Sequence, residues 1–97
     1  MRNQINDVHE KSPDETDLYQ FNWEPRLNGA TISTSTMILD SGITNEADSK
    51  TNTATEVAIS GGTDKSNYYV INRVTTSDSR TLEGVKVIKV RAVQQAS

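Results

Sequence analysis

The chain has no cysteine, one histidine, two prolines, and a single phenylalanine and tryptophan among its 97 residues. Without cysteine there is no disulfide framework, no thiolate nucleophile and no cysteine zinc site. The lone His9 sits in a polar segment, so a histidine-centred triad or a multi-histidine metal site has nothing to be built from. No apolar run exceeds four residues, whereas a membrane-spanning helix needs about 20. The opening Met1–Asp7 carries no apolar stretch of the kind a secretion signal uses. These absences leave no catalytic, cofactor-binding or metal-binding residue to nominate, and no membrane partner.

What is abundant is hydroxyl: 12 Thr and 10 Ser. Threonine is β-branched and fits a pleated, half-buried surface, so a Thr-rich body with few helix formers favours strands. The net charge of −3 is unevenly placed. Residues 1–20 hold five acids (Asp7, Glu10, Asp14, Glu15, Asp17) against Arg2 and Lys11, while residues 21–97 hold eight of each sign. The acidic leader buries too little apolar surface to offset its ordering entropy alone, which predicts an arm over 1–20 that is disordered or bound to a partner. The neutral body, 21–97, offers no basic footprint for direct binding of nucleic acid.

Within the leader, Ser12-Pro13-Asp14-Glu15 has the form of a helix start, with Ser12 as N-cap and Glu15 closing a capping box. Leu18, Tyr19, Phe21 and Trp23 then place four large apolar side chains just before Pro25. They either close the bottom of a β core or dock in part on a neighbouring subunit, since aromatic anchors concentrate at interface centres. These four are the candidate interface residues.

Turn signals recur about every ten residues after Trp23. Asn28-Gly29 suits positive φ. Ala30–Leu39 follows as a strand with Ile32, Thr34, Thr36 and Ile38 on one face. Residues 43–52 read as a poor edge strand or a long loop, and Thr53, Thr55, Val57 and Ile59 alternate clearly. Tyr68–Thr76 is the strongest strand signal, with Val70, Asn72, Val74 and Thr76 on one face and Tyr69, Ile71, Arg73 and Thr75 on the other. Thr81–Val93 closes the chain, its apolar phase changing between Val87 and Ile88, which a bulge near Gly84 or Lys86, or a strand buried on both faces, would explain. Trp23, Leu27, Tyr69 and Ile71 are the expected core. The spacing predicts an all-β fold, a small immunoglobulin-like β-sandwich of about seven strands with an extended or partly helical N-terminal arm. Tyr68 or Tyr69 would form a tyrosine corner at the start of the penultimate strand.

Motifs for chemistry are weak. Asp40, Asp48, Asp64 and Asp78 sit in expected turns without a calcium-loop pattern, and Gly61-Gly62 lacks the Lys-Ser/Thr of a phosphate cradle. Glu56 and Glu83 are the strand carboxylates a glycosidase would need, each among ordinary surface residues. An exposed tyrosine and tryptophan could form a sugar platform, but so small a core needs the same rings. A body of about 77 residues is near the size at which a lone core gives only a few kcal/mol, which favours assembly with other chains.

The order of several segments carries a resemblance. Phe21-Asn22-Trp23, then Thr31-Ile32-Ser33-Thr34-Ser35-Thr36, then Thr53–Thr63 with its Ser60-Gly61-Gly62-Thr63, then Asn72-Arg73-Val74-Thr75-Thr76-Ser77, together resemble the small bacteriophage fiber–tail adaptor proteins over residues 21–93. The resemblance implies a non-enzymatic virion component with an immunoglobulin-like fold, made in the host cytoplasm and situated at the neck or tail. There it would join a connector or tail-tube ring to tail fibres through protein contacts, in ring-like multiple copies and without a cofactor. Met37 stands where the family has tryptophan, and Ser79 where its turn has glycine. The alternative is a capsid decoration or cell-surface glycan-binding module of the same architecture.

Overall fold

The computed structural model describes residues 7–92. Seven strands form two sheets: β1 (Val8–Lys11), β2 (Asp17–Asn22), β3 (Ile32–Leu39), β4 (Ile43–Lys50), β5 (Ala54–Gly61), β6 (Asn67–Thr76) and β7 (Thr81–Val90), with one helical turn α1 (Glu24–Leu27). The four-stranded sheet runs β1-β7-β6-β3 and the three-stranded sheet β2-β5-β4. All pairings are antiparallel except β1 with β7, which is parallel. The expected all-β sandwich is present.

The core lies between the sheets and is filled by alternate residues, as period-two side-chain geometry requires. Tyr19 and Phe21 enter from β2, Val57 and Ile59 from β5, Tyr68, Val70 and Val74 from β6, and Ile88 and Val90 from β7. Trp23 and Leu27 close one end, at 3% and 1% exposure. Pro25 fits the first turn of α1, and Asn28 and Gly29, at φ 52° and 88°, end it as the sequence predicted.

The division expected after Gln20 is not where the chain divides. β1 and β2 are strands of the two sheets, so residues 8–20 belong to the sandwich, while residues 1–6 and Val93 lie outside the described residues. Three groups offset the polar character of this segment. The Lys11 stem is buried and its ammonium donates to the carbonyls of Ser12 at 2.8 Å and Gly61 at 2.5 Å. Lys86, also buried, donates to the Asp7 carboxylate at 2.5 Å and lies 4.8 Å from the centre of the Phe21 ring. Tyr19 and Phe21 supply the apolar alternation. The expected helix at Ser12 is instead a turn; the Ser12 amide does donate to Glu15 Oε1 at 2.9 Å, but no helix follows.

The expected core is corrected at two positions. Tyr69 is 51% exposed and Ile71 only half-buried, because Tyr68, Val70, Asn72, Val74 and Thr76 take the inner face of β6. The polar member of that face, Asn72, is fully buried and fully bonded. Its Oδ1 accepts from Trp23 Nε1 at 2.9 Å and Thr55 Oγ1 at 2.5 Å, and its Nδ2 donates to Ser35 Oγ at 2.9 Å and the Thr36 carbonyl at 3.1 Å. One side chain thereby ties β3, β5 and the end of β2 to β6. Burying an amide is acceptable when all its hydrogen-bonding groups are satisfied.

β7 has no bulge in its pairing with β6. Its inner face runs Leu82, Gly84, Lys86, Ile88, Val90, so the apparent phase change comes from a glycine and a lysine at inner positions. Gly84 leaves room for the rings of Trp23 and Phe21, which stack at 6.3 Å. In β3 a register shift between Ile32 and Thr34 separates the residues expected on one face: Ile32 points in, and Thr34, Thr36 and Ile38 point out. Residues 43–50 form an edge strand with its own irregularity between Asn45 and Ala47. The Tyr68 hydroxyl accepts the Thr63 amide at 2.9 Å, the corner contact expected at the start of this strand.

Candidate interaction surface

A two-sheet sandwich has one inside, so a strand that is apolar on both faces must present one of them outward. β6 and β7 are such strands. On the outer face of the four-stranded sheet the register aligns Val8, Val87 and Tyr69 in one row and Val85, Ile71 and Ile38 in the next. Val8 is 48% exposed, Tyr69 51% and Ile38 37%; the other three are half-buried. Six apolar side chains thus adjoin across four strands, a contiguous patch of the kind that marks an interaction site on a small protein. Its rim is charged. Arg73 Nε meets Glu83 Oε2 at 2.6 Å in the row on one side, and Glu10 lies opposite Lys89 in the row on the other.

The opposite face of the molecule carries a smaller apolar row. Leu18, 61% exposed, lies across β2-β5-β4 from Ala58 and Ala47. Of the four candidate interface residues, Leu18 alone reaches solvent there; Tyr19, Phe21 and Trp23 are 4%, 6% and 3% exposed and form the core. Burial, then Asp17 and Glu15, push the Tyr19 phenol up to about 12, so it stays neutral at ordinary pH.

A cleft of about 360 Å³ opens along the seam between β2 and β7. Its charges are committed to neighbours: Lys86 to Asp7, and Arg26 to the Trp23 face at 5.3 Å and the Glu83 carbonyl at 3.1 Å. Burial draws the Asp7 carboxyl up, but Lys86 and then His9 outweigh it, and the group sits below its ordinary value. Among the described residues no cluster of three potential metal ligands occurs. The carboxylates weighed for glycoside chemistry lie on the outer faces of different sheets, Glu56 on β5 and Glu83 on β7. Asp48 lies within β4, not in a turn, while Asp40 and Asp64 accept backbone amides of Tyr69 and Ala92.

A family model described as podophage GP4 fiber-tail adaptor protein gp77 matches residues 11–89. The chain belongs to this fiber–tail adaptor family. The match begins at Lys11, so it takes in β2 and part of the segment expected to lie outside the resemblance. No curated protein matches the chain. As a phage fiber–tail adaptor it is a structural tail protein, a virion component whose partners are tail proteins and fibres. Among the described residues, no helix is long and apolar enough to cross a membrane.

The signal for the outer patch was present in the sequence as apolar residues on both faces of 68–71 and 85–88. Val8, Ile38, Val85 and Val87 carry no interface signal of their own in the sequence, because only the strand register brings them beside Tyr69 and Ile71.

Proposed function

We propose that this adaptor stands at the neck or tail of the particle and joins a connector or tail ring to tail fibres, without catalysis, in several copies arranged around the tail axis. The observation that carries the reading is a small sandwich with exposed apolar side chains on each of its two outer faces, in a chain of the adaptor family. A module that joins two bodies needs two separate surfaces, and these face opposite ways. Modest affinity at each suffices, because many copies held on one particle raise the effective concentration. The strand order supports an immunoglobulin-like reading of the sandwich: β2-β5-β4 packs on β7-β6-β3, with β1 added beside β7.

The test is the number and place of copies in purified particles. Labelled protein at the neck or tail, at roughly six to twelve copies as ring symmetry implies, is the expected result. Hundreds of copies spread over the capsid would identify a decoration protein and overturn the proposal. In complementation, Leu18→Asp with Ala58→Asp should yield particles depleted of the adaptor or of fibres while the purified variant stays folded.

A further inference from the structure

We propose that the outer face of the four-stranded sheet is a self-association surface, occupied by the same face of a second copy of this chain. The inference rests on the adaptor reading in one respect, that several copies meet on one particle; the contact itself is argued from the sheet.

The patch is self-complementary. Consider a two-fold axis lying in the interface, parallel to the strands and between β6 and β7. It exchanges these two strands and keeps each row in place, an isologous contact in which residue i meets j and j meets i. Register then sets Tyr69 against Val87 of the other copy and Ile71 against Val85. Arg73 falls opposite the other copy's Glu83, and Glu83 opposite its Arg73, so the charged rim matches twice. Turned about the other in-plane direction, Glu83 would meet Lys89 but Arg73 only Asn67, so the strand-parallel axis is the one that uses both charges. Neither arrangement sets like charges against each other in these rows.

The shape also fits. A pleated face of apolar and β-branched side chains packs best on another such face, with the sheets about 10 Å apart and their strands within about 30°. Four strands at about 4.8 Å spacing and some eight residues at about 3.4 Å rise give a face of on the order of 500 Å² per copy. That is at the small end for specific complexes, so the contact should form in the micromolar range and dissociate on dilution. Because a two-fold contact closes on itself, it pairs copies and leaves their two Leu18 faces pointing opposite ways, so that the pair presents the two free surfaces a joining module needs.

Sedimentation equilibrium of the full chain over roughly 1 to 300 µM, a range that brackets so small an interface, tests this. The mass should rise from 10.7 kDa towards twice that value. Tyr69→Ser with Ile71→Ser should hold it at 10.7 kDa throughout, with little change in unfolding midpoint since both side chains point away from the core. Glu83→Arg should also abolish pairing, and Arg73→Glu added to it should restore pairing, while Leu18→Ser leaves it intact. A wild-type chain that stays at 10.7 kDa overturns the proposal. So does a mass that climbs past two copies, loss of pairing in Leu18→Ser alone, or failure of the double charge reversal to recover it. If pairing behaves as expected but particles carry the chain on the capsid, the adaptor reading fails and the self-association stands.

Discussion

Replacing Asn72 by leucine tests the claim that one buried amide fastens the two sheets together. Leucine is close in volume, so the change deletes hydrogen bonds without opening a large cavity. Trp23 Nε1 loses its acceptor inside the core, and the Thr55 hydroxyl loses the same oxygen. A buried donor left without a partner costs about 1–3 kcal/mol. The Ser35 hydroxyl is half-buried and can turn to solvent, so the two bonds made by Nδ2 should add less. The sum is about 3 kcal/mol, a large share of the roughly 5–15 kcal/mol typical of a domain. At about 4–8 °C per kcal/mol for a domain near 100 residues, the melting temperature should fall by roughly 10–25 °C.

The assay is built into the chain, because Trp23 is its one tryptophan and is 3% exposed, so its emission follows opening of the core in urea. A companion substitution sharpens the result. Thr55→Val removes one of the two orphaned groups, so the double variant should be less destabilised than the sum of the singles by about 1 kcal/mol, the sign of a shared network. If Asn72→Leu stays within about 0.5 kcal/mol of wild type at an unchanged urea slope, the amide does not hold the sheets together and the reasoning is wrong.

Gly84→Ala would place a Cβ 3.0 Å from Trp23 Cη2 and 3.4 Å from Phe21 Cδ2. Overpacking of about 1–3 kcal/mol should outweigh the 0.5–1 kcal/mol that alanine gains over glycine in a strand, so thermal unfolding should shift down. Ser79 sits at φ 70°, where a side chain costs about 1–2 kcal/mol, against about 0.4–1 kcal/mol of extra unfolded-state entropy for glycine. Ser79→Gly should therefore stabilise by roughly 0.5 kcal/mol, and a lower melting temperature would refute the turn assignment. For pH, the Asp7 carboxyl is depressed in the folded state, so its ion pair with Lys86 contributes stability above the unfolded value of 3.8 that is lost as pH falls through the lower folded value. Urea midpoints should drop in that acid window, less so in Asp7→Asn; equal acid sensitivity in both would remove Asp7 as a cause.

How far the sequence reveals this fold depends on what each strand does with its second face. β5 was legible because its outward residues are Ala54, Glu56, Ala58 and Ser60, so Thr55, Val57 and Ile59 could only be inner. β6 is ambiguous because both of its faces carry large apolar residues and the inner one also carries Asn72. Each face has large apolar residues and a polar one, Asn72 on one side and Arg73 on the other; the spatial meeting of Trp23, Thr55, Ser35 and Thr36 around the amide is what lets Asn72 be the buried one. β1 failed for the opposite reason. Its side chains look like those of a solvated tail, and its place in the sheet depends on carbonyls at Ser12 and Gly61 that receive the Lys11 ammonium, which composition cannot register.

The same ambiguity makes the candidate surface visible. Had Tyr69 and Ile71 been core residues, β6 would instead bury Arg73 and turn Tyr68, Val70, Asn72 and Val74 outward. Because the Asn72 face takes the interior, Tyr69 and Ile71 on the other face of β6 are left outside, beside Val85 and Val87 of β7 and Ile38 of β3. Leaving about six apolar side chains in water is unfavourable for an isolated domain, at roughly 25 cal/mol for each Å² that could be buried. Asn72→Leu and the Tyr69/Ile71 double serine variant therefore probe two sides of one strand. The first should lower stability and leave pairing of the remaining folded molecules intact, while the second should abolish pairing and leave stability near wild type. The converse outcome in either variant would mean that inner and outer faces of β6 have been assigned the wrong way round.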